Sequence, residues 1–397
     1  MTSFDHLLSH RTQRMGVNVI REILKVVNQP GMVSLAGGIP APESFPMDIF
    51  GELTSQVLDK YGSTALQYDV SEGFQPLREA LVDYLTQERQ VVTTFDDILV
   101  FSGSQSVLDT VGKILISPGD GVVIESPSYL GAISAFNAYE PRYFSVATDE
   151  HGLIPEALEQ ILTQQQVKFI YLTPTFQNPT GRTLTLERRQ QVAEIIKRHN
   201  TVVLEDDPYG ALRYSGEPLP PIQQFAPNHV IYASTFSKIL SPGLRVGFCA
   251  VPTTLRKWLV VAKQAADLHT STFSQAVAAE YLQGHYLKKQ LPKIINLYRP
   301  RRDTMLAALD RYFPANFTWT EPDGGMFLWL EGPEGLDAEA LYWQCIEEKV
   351  AFVPGKYFFT DHQTEGLATM RFNFTKADEK TIAMAVKTIG DVAKRYG

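Results

Sequence analysis

The residues best placed to do chemistry lie in IYASTFSKILSPGLRVG, residues 231–247, where a short apolar run breaks into hydroxyl residues around one lysine, Lys238. Pro242 and Gly243 end the turn, and Arg245 leads into a second apolar run. Strand ends that feed polar loops are where α/β proteins place ligands and reacting groups. A lysine partly withdrawn from water loses proton affinity and becomes an amine nucleophile or a Schiff-base former. Thr235, Ser237 and Arg245 supply two hydroxyls and a guanidinium, a donor set suited to a phosphate beside that amine. Most lysines are solvated surface groups, so Lys238 taken alone carries little. Taken with a phosphate cradle, it suggests pyridoxal phosphate.

Composition narrows the classes. The chain has 397 residues, 44% hydrophobic and 20% charged, enough to bury a large core and to divide into two domains. Its net charge of -8 offers no basic field for nucleic acid, and no long Lys/Arg run occurs. The two cysteines, Cys249 and Cys345, show neither CxxC nor Cys/His ligand spacing, so no disulfide framework or metal site is expected and a reducing cytoplasm fits. The stretch MTSFDHLLSHRTQR lacks an apolar core of signal-peptide length, and no run reaches the ~18 apolar residues of a membrane span. These features predict a soluble cytoplasmic protein with no membrane partner.

The elements that must position Lys238 follow from periodicity. Val17, Val19, Ile20, Ile23, Leu24 and Val27 recur at helical spacing and predict an amphipathic arm that Pro30 and Gly31 stop. VSLAGGIPAPESFP then forces an irregular crossing, and helices are predicted over 47–61 and from near Pro76. From Asp97 the rhythm becomes strand, loop, helix: DILVFSGSQSVLDTVGKIL, GDGVVIESPSYLGAISAF, VKFIYLTPTFQNPTG, TVVLEDDPYGAL and HVIYASTFSK. Four or five such units predict an α/β fold with a mostly parallel sheet, helices on both faces, and a ligand site off the carboxyl ends of the strands. None of these strands is followed by GxGxxG, which disfavours a dinucleotide. A long helical stretch over 257–283 breaks at LHTSTFSQ, and beyond Leu291 helices and short strands predict a smaller α+β domain. The expected division is an arm and crossing over 1–46 packing with the small domain, a large domain over 47–290 and a small domain over 291–397.

The segments NPTG at 178–181, DDPY at 206–209, SK at 237–238, GLR at 243–245 and MRFNF around Arg371, in this order, resemble the fold-type-I pyridoxal-phosphate aminotransferases. SLAGGIPAPESFP, ALQYDVSEG, ESPSYLGAI and ADLHT narrow the resemblance to the branch of 2-aminoadipate and kynurenine/2-aminoadipate aminotransferases. The likeness spans nearly the whole chain. It implies that Lys238 carries the coenzyme aldehyde, that Asp206 faces the pyridine nitrogen, and that Asn178 and Tyr209 donate to the phenolic oxygen. It further implies that Tyr129 stacks on the ring and that Ser104, Gln105, Thr235, Ser237 and Arg245 hold the phosphate. Tyr68 resembles the tyrosine that reaches the phosphate of a neighbouring subunit, which implies a homodimer with shared active sites. Arg371 resembles the arginine that grips the substrate α-carboxylate, with Asn178 and Gly38 beside it, and Arg21 the one that meets a distal carboxylate.

Residue chemistry agrees with these roles. A buried carboxylate keeps a pyridine nitrogen cationic and so makes the ring an electron sink. The amides that open the helix at Ser104 favour an anion. A planar guanidinium matches a carboxylate, and the apolar neighbours Met370, Phe372 and Phe374 argue against a surface role for Arg371. The implied activity is transfer of an amino group from an L-amino acid (2-aminoadipate, aromatic or aliphatic) to a 2-oxo acid such as 2-oxoglutarate by a ping-pong route. β-Lyase or decarboxylase chemistry on the same fold, and a regulator-like protein lacking its DNA-binding module, are the alternatives. Trp258, Phe273 and Tyr357 could line the pocket or fill the core.

Overall fold

A computed structural model describes residues 4–15 and 31–396. Seven segments become strands of one sheet: β1 (Ile98–Phe101), β2 (Gly121–Glu125), β3 (Arg142–Val146), β4 (Val167–Leu172), β5 (Val202–Asp206), β6 (Val230–Thr235) and β7 (Gly247–Ala250). β1, β2 and β7 are buried along their whole length, whereas the edge strand β3 exposes Arg142 and Ser145. Runs without a polar alternate are what a sheet covered on both faces requires.

The strand order is β1-β7-β6-β5-β4-β2-β3. Four neighbouring pairs are parallel, as the sequence predicts. β7 is the exception and runs antiparallel to both β1 and β6. That reversal brings the amino end of β7 to the edge where the other strands have their carboxyl ends. Ser104, Tyr129, Asn178, Asp206 and Lys238, which follow or end five strands, therefore meet Arg245, which precedes the reversed one.

Helices cover both faces: α1 (Met47–Tyr61), α2 (Gln75–Glu88), α3 (Ser104–Leu115), α4 (Leu130–Asn137), α5 (Pro155–Gln164), α6 (Leu186–Arg198), α7 (Thr253–Asp267) and α8 (Thr272–Gln283). Alternation along the strands divides the core between the faces. Leu99, Phe101, Val122, Ile124, Phe169 and Tyr171 pack with α3, α4 and α7. Their neighbours Ile98 and Val100 pack with α2 and α8, and Val123 and Ile170 with α5 and α6. The predicted break near residue 268 separates α7 from α8. Among the described residues no helix is long and apolar enough to cross a membrane.

The remaining chain forms α9 (Tyr286–Tyr312), β8 (Thr318–Trp319), β9 (Phe327–Glu331), α10 (Ala338–Glu347), β10 (Val353–Pro354), β11 (Thr369–Asn373) and α11 (Glu379–Ala393). Its four strands make an antiparallel sheet in the order β8-β9-β11-β10. Leu35, Ala36 and Ala41 from the crossing share its apolar cluster. Val33–Ser34 pairs in parallel with Val350–Ala351. Two hydrogen bonds tie the crossing to α9: Ala41 N donates to Tyr298 Oη at 3.0 Å, and Gln290 Nε2 donates to Ser44 O at 2.8 Å. α9 runs unbroken through residue 290, with Leu287 in a large-domain cluster and Ile294, Tyr298 and Met305 in the small-domain one. We propose that the division at 290/291 is a change of packing partner along one helix. Of the predicted arm, residues 4–15 form only the short turns Asp5–Leu7 and His10–Gln13, while the helically spaced residues Val17 to Val27, with Arg21 among them, lie outside the described residues.

Candidate active site

The anion side of the site is built around two glycines. α3 opens at Ser104 behind Gly103, whose φ is +84°, and helix amides with no partner inside the helix attract negative charge. A Cβ on Gly103 would lie 2.3 Å from Arg245 Nη2, and one on Gly247 would lie 2.4 Å from Ser104 N. Hydrogen at both positions lets the Arg245 guanidinium approach the helix start. Arg245 itself adopts φ +54°, and its Nη2 donates to Ser102 O at 3.4 Å. On the other side the Thr235 hydroxyl accepts from Ser237 N at 3.1 Å and lies 2.9 Å from Ser237 Oγ. The Gln105 side chain is engaged elsewhere: Nε2 donates to Gly131 O at 2.7 Å, which ties α3 to the start of α4 and to Tyr129.

Lys238 ends the short turn Phe236–Lys238 after β6, and its Nζ donates to Gly38 O at 3.0 Å. Burial pushes its ammonium down to about 8, with the like charges of Arg371 and Arg245 adding to that. Asp206 is the last residue of β5 and is buried. Tyr171 Oη donates to its Oδ2 at 2.9 Å, while Oδ1 is buried with no partner among the described residues. Burial raises this carboxyl to about 7 against the Tyr171 hydrogen bond, and Asp207 adds to the rise.

Asp207 is satisfied in full. Arg89 Nη2 lies 2.6 Å from its Oδ2, Tyr232 Oη donates to the same oxygen at 2.6 Å, and Gly210 N donates to Oδ1 at 2.8 Å. Burial works against its charge, but Arg89 and Tyr232 overcome that and hold it below the usual carboxylate range. Asp207 continues the ladder one residue past β5, its N donating to Ala233 O, and adjacent residues of an extended chain point to opposite faces. One aspartate therefore anchors the turn and the other presents an unpartnered oxygen.

Arg371 on β11 is buried between the rings of Phe327 and Phe358, 4.2 and 4.8 Å from their centroids. Its Nη1 donates to Asn178 Oδ1 at 2.9 Å and its Nη2 to Ala36 O at 2.7 Å. Burial lowers this guanidinium to about 10. Asn178 Nδ2 reaches Tyr209 Oη at 3.5 Å, and Tyr209 stands edge-on to Phe327. Gly38 is needed where it is, because a Cβ there would come within 2.9 Å of Phe327 Cζ.

These groups line one cavity of about 310 Å³, within the usual range for small-molecule sites. Ser104, Gln105, Tyr129, Asn178, Asp206, Tyr209, Thr235, Ser237, Lys238, Arg245, Arg371 and Gly38 all face it. Tyr68 does not: it is 79% exposed, with its ring edge against His269. An amine, an unpartnered buried carboxylate oxygen, a helix start beside a guanidinium and a second, aromatic-walled guanidinium fit pyridoxal phosphate and an amino acid. The family model for aminotransferase class I and II matches residues 51–389. The chain belongs to that family. It is 42% identical to aromatic-amino-acid aminotransferase 1 of Thermococcus litoralis, over 98% of this chain and 95% of that protein. Two solved structures align over 99% of it. One is kynurenine aminotransferase from Pyrococcus horikoshii in complex with PMP, with TM-score 0.95, 40% identity and 98% of that chain covered. The other is α-aminoadipate aminotransferase from Thermus thermophilus complexed with N-(5'-phosphopyridoxyl)-L-leucine, with TM-score 0.91, 38% identity and 99% of that chain covered. The protein is a pyridoxal-phosphate-dependent aminotransferase of fold type I.

In this aminotransferase four residues to which the motifs assign no role, Tyr171, Phe327, Ile39 and Leu130, also line the cavity. Tyr171 reads as one more core residue of β4, yet a buried tyrosine has a hydroxyl to satisfy, and here it donates to Asp206. Phe327 walls both Arg371 and Tyr209, and Ile39 and Leu130 complete the apolar side. Of the three aromatics left open, none lines the cavity. Trp258 is exposed, Phe273 packs in the cluster of Val57 and Phe74, and Tyr357 Oη donates to Glu339.

Proposed function

We propose that this aminotransferase takes aromatic and aliphatic L-amino acids, 2-aminoadipate among them, as donors and a 2-oxo acid such as 2-oxoglutarate as acceptor. The observation that carries the reading is Arg371 held on Asn178 between two phenylalanine rings, with Ile39 and Leu130 on the same cavity wall. A carboxylate can pair with that guanidinium while an apolar side chain meets the wall. Lys238, Arg245 and Arg371 are the cationic side chains lining the cavity among the described residues. With those three engaged, a distal carboxylate calls on a cation from the arm, and Arg21 is the candidate. The names of the relatives, which include aromatic, kynurenine and α-aminoadipate aminotransferases, are consistent with this breadth. They do not favour lyase or decarboxylase chemistry, nor a regulator-like role.

Pyridoxal phosphate, when bound, supplies the aldehyde that carries the amino group and the ring that accommodates the electron pair left by the α-proton. The residues of the chain do the rest. Ser104, the backbone amide of Gln105, Thr235, Ser237 and Arg245 would hold the phosphate, Tyr129 the ring face, and Asn178 and Tyr209 the phenolic oxygen. Asp206 Oδ1 would keep the ring nitrogen protonated, its own charge steadied by Tyr171. Arg371 would orient the donor through its carboxylate, and Lys238 Nζ, with burial lowering its proton affinity, would accept the proton from the donor's α-carbon.

Homodimerisation is part of the proposal. Tyr68 and its neighbours Leu66 and Val70 are exposed beside exposed Leu268, an apolar patch that a second copy of the chain would cover. Light scattering should give twice the chain mass, and mixing Tyr68→Phe with Lys238→Ala protein should restore activity if the sites are shared; a fully active monomer overturns this. The donor reading is tested by single-turnover absorbance with a panel of amino acids, followed by glutamate formation from 2-oxoglutarate. Phenylalanine and leucine should react with one glutamate formed per donor consumed. Reaction confined to acidic donors, or product without glutamate, refutes it.

A further inference from the structure

Lys263 is a lysine whose side chain is 1% exposed, yet it does not reach the active-site cavity. It lies on α7 where that helix packs on α3. Its Nζ lies 2.8 Å from Asp267 Oδ1 and 3.4 Å from Thr270 Oγ1, over the ring of Phe101. An apolar residue of similar volume fills the Lys263 position at no desolvation cost, and Asp267 opposite it is partly exposed, so the pair is weak evidence for stability and invites a positional role. The second oxygen of Asp267 provides one. Ser102 Oγ donates to Asp267 Oδ2 at 2.6 Å and lies 3.3 Å from Thr270 Oγ1. Ser102 immediately precedes Gly103, where the chain turns into α3, and its carbonyl accepts from Arg245. The far end of the loop is fixed as well: Gln275 Nε2 donates to Thr270 O at 2.7 Å, and Gln275 Oε1 accepts from Phe74 N at 2.7 Å.

We infer that Lys263, Asp267 and Ser102 form a clamp behind the phosphate-binding turn, which sets the direction of the Ser104 amides and the reach of Arg245. The inference rests on the reading that the phosphate sits at Ser104 and Arg245. All three are positioning residues, since none lines the cavity. Their loss should therefore weaken the hold on a phosphate without weakening capture of an aldehyde by Lys238.

The test compares holoenzyme carrying pyridoxal phosphate with enzyme carrying pyridoxal, which has the aldehyde and no phosphate. Coenzyme dissociation is followed by absorbance in Ser102→Ala, Asp267→Asn, Lys263→Met and, as a reference, Arg245→Leu. Ser102→Ala and Asp267→Asn should each weaken pyridoxal phosphate about tenfold, the scale of one lost hydrogen bond to a charged group, and leave pyridoxal unchanged. If Lys263→Met does not fold, the other two carry the test. Unchanged retention of pyridoxal phosphate in both, or an equal loss for the two coenzymes, overturns the clamp. If Arg245→Leu also shows no phosphate-specific loss, the phosphate reading falls with it. If Arg245→Leu shows that loss and the others do not, only the clamp falls.

Discussion

Replacing Asp206 with asparagine should stabilise the coenzyme-free protein while removing its activity. The carboxyl rises from its ordinary 3.8 to about 7 on folding, chiefly through burial. That gap corresponds to roughly 4 kcal/mol, at 1.36 kcal/mol per pH unit, held against the ionised form. A group whose folded value is raised stabilises the fold fully below its unfolded value. The benefit declines between pH 4 and pH 7 and is gone above pH 7. At pH 8 the native protein thus carries a buried charge with one oxygen unpartnered. Asparagine has the same shape, still accepts from Tyr171 Oη, and has no charge to desolvate. Allowing for relaxation and water penetration, the gain at pH 8 is about 2–4 kcal/mol, or roughly 2–6 °C in melting temperature for a chain of this size.

The assay is thermal melting of coenzyme-free Asp206→Asn and the parent protein at pH 8 and pH 5. At pH 5 the gain should fall below half, because native Asp206 is then protonated. Glu125 and Glu205 are also raised to about 7 by burial, but they titrate alike in both proteins and cancel. With pyridoxal phosphate bound the order should reverse, since a protonated ring nitrogen stabilises a carboxylate and not an amide. Turnover should drop by about two to four orders of magnitude as the ring loses its fixed proton. Equal melting temperatures at pH 8, or a gain independent of pH, would refute the assignment of the unpartnered oxygen.

Lys238→Ala should abolish both turnover and the absorbance of lysine-bound coenzyme; wild-type activity removes this amine from the reaction. Tyr171→Phe withdraws the donor that favours ionised Asp206, a loss of about 1.5–3 kcal/mol for the carboxylate. Because coenzyme binding weakens as Asp206 gains its proton, the pH at which affinity falls off should move upward, and an unmoved limb in a dissociation titration counts against the pairing. Arg371→Lys keeps the charge and loses the planar fork, so the donor KM should rise about ten- to a hundredfold with a smaller change in kcat. Equal kinetic constants would show that the α-carboxylate binds elsewhere.

Much of this was legible in the chain, for identifiable reasons. Apolar runs such as VKFIYL and VVLED, spaced by amphipathic stretches, specify strands buried on both faces, and residues that follow such strands collect at one edge whatever the details of packing. The direction of β7 was not legible, because GFCA carries no mark of polarity and its pairing is decided by β1 and β6. Nor could local chemistry separate Asp206 from Asp207. Strand geometry sends the two to opposite faces, but the partner that neutralises Asp207 is Arg89, 118 positions away. The contribution of Gln105 was visible as a helix start and not as a tether to Gly131, since side-chain partners between elements are settled by packing. The same holds for Lys263, which on the page of the sequence is an ordinary helix lysine.

The reversed strand is also what lets one short segment organise both ends of the site. Were β7 parallel to β6, Arg245 would enter at the opposite edge of the sheet, some 13 Å from α3 for a four-residue strand. Instead residues 236–246 leave the carboxyl end of β6 and return at the same edge, so the amine of Lys238 and the guanidinium of Arg245 belong to one connection. The span between the group that takes an aldehyde and the group that takes a phosphate is then fixed by local backbone, including the left-handed conformation of Arg245, and not by the relative placement of distant elements. Asp206 enters from the adjacent strand β5, in register with Ala233 of β6, so the carboxylate is indexed to the same connection by sheet hydrogen bonds. A coenzyme with three attachment points at fixed separations needs that rigidity. By contrast Arg371 and Gly38 come from β11 and the crossing, distant in sequence, and are indexed to that connection only through side chains: Arg371 through Asn178, and Gly38 through its carbonyl, which accepts from Lys238 Nζ.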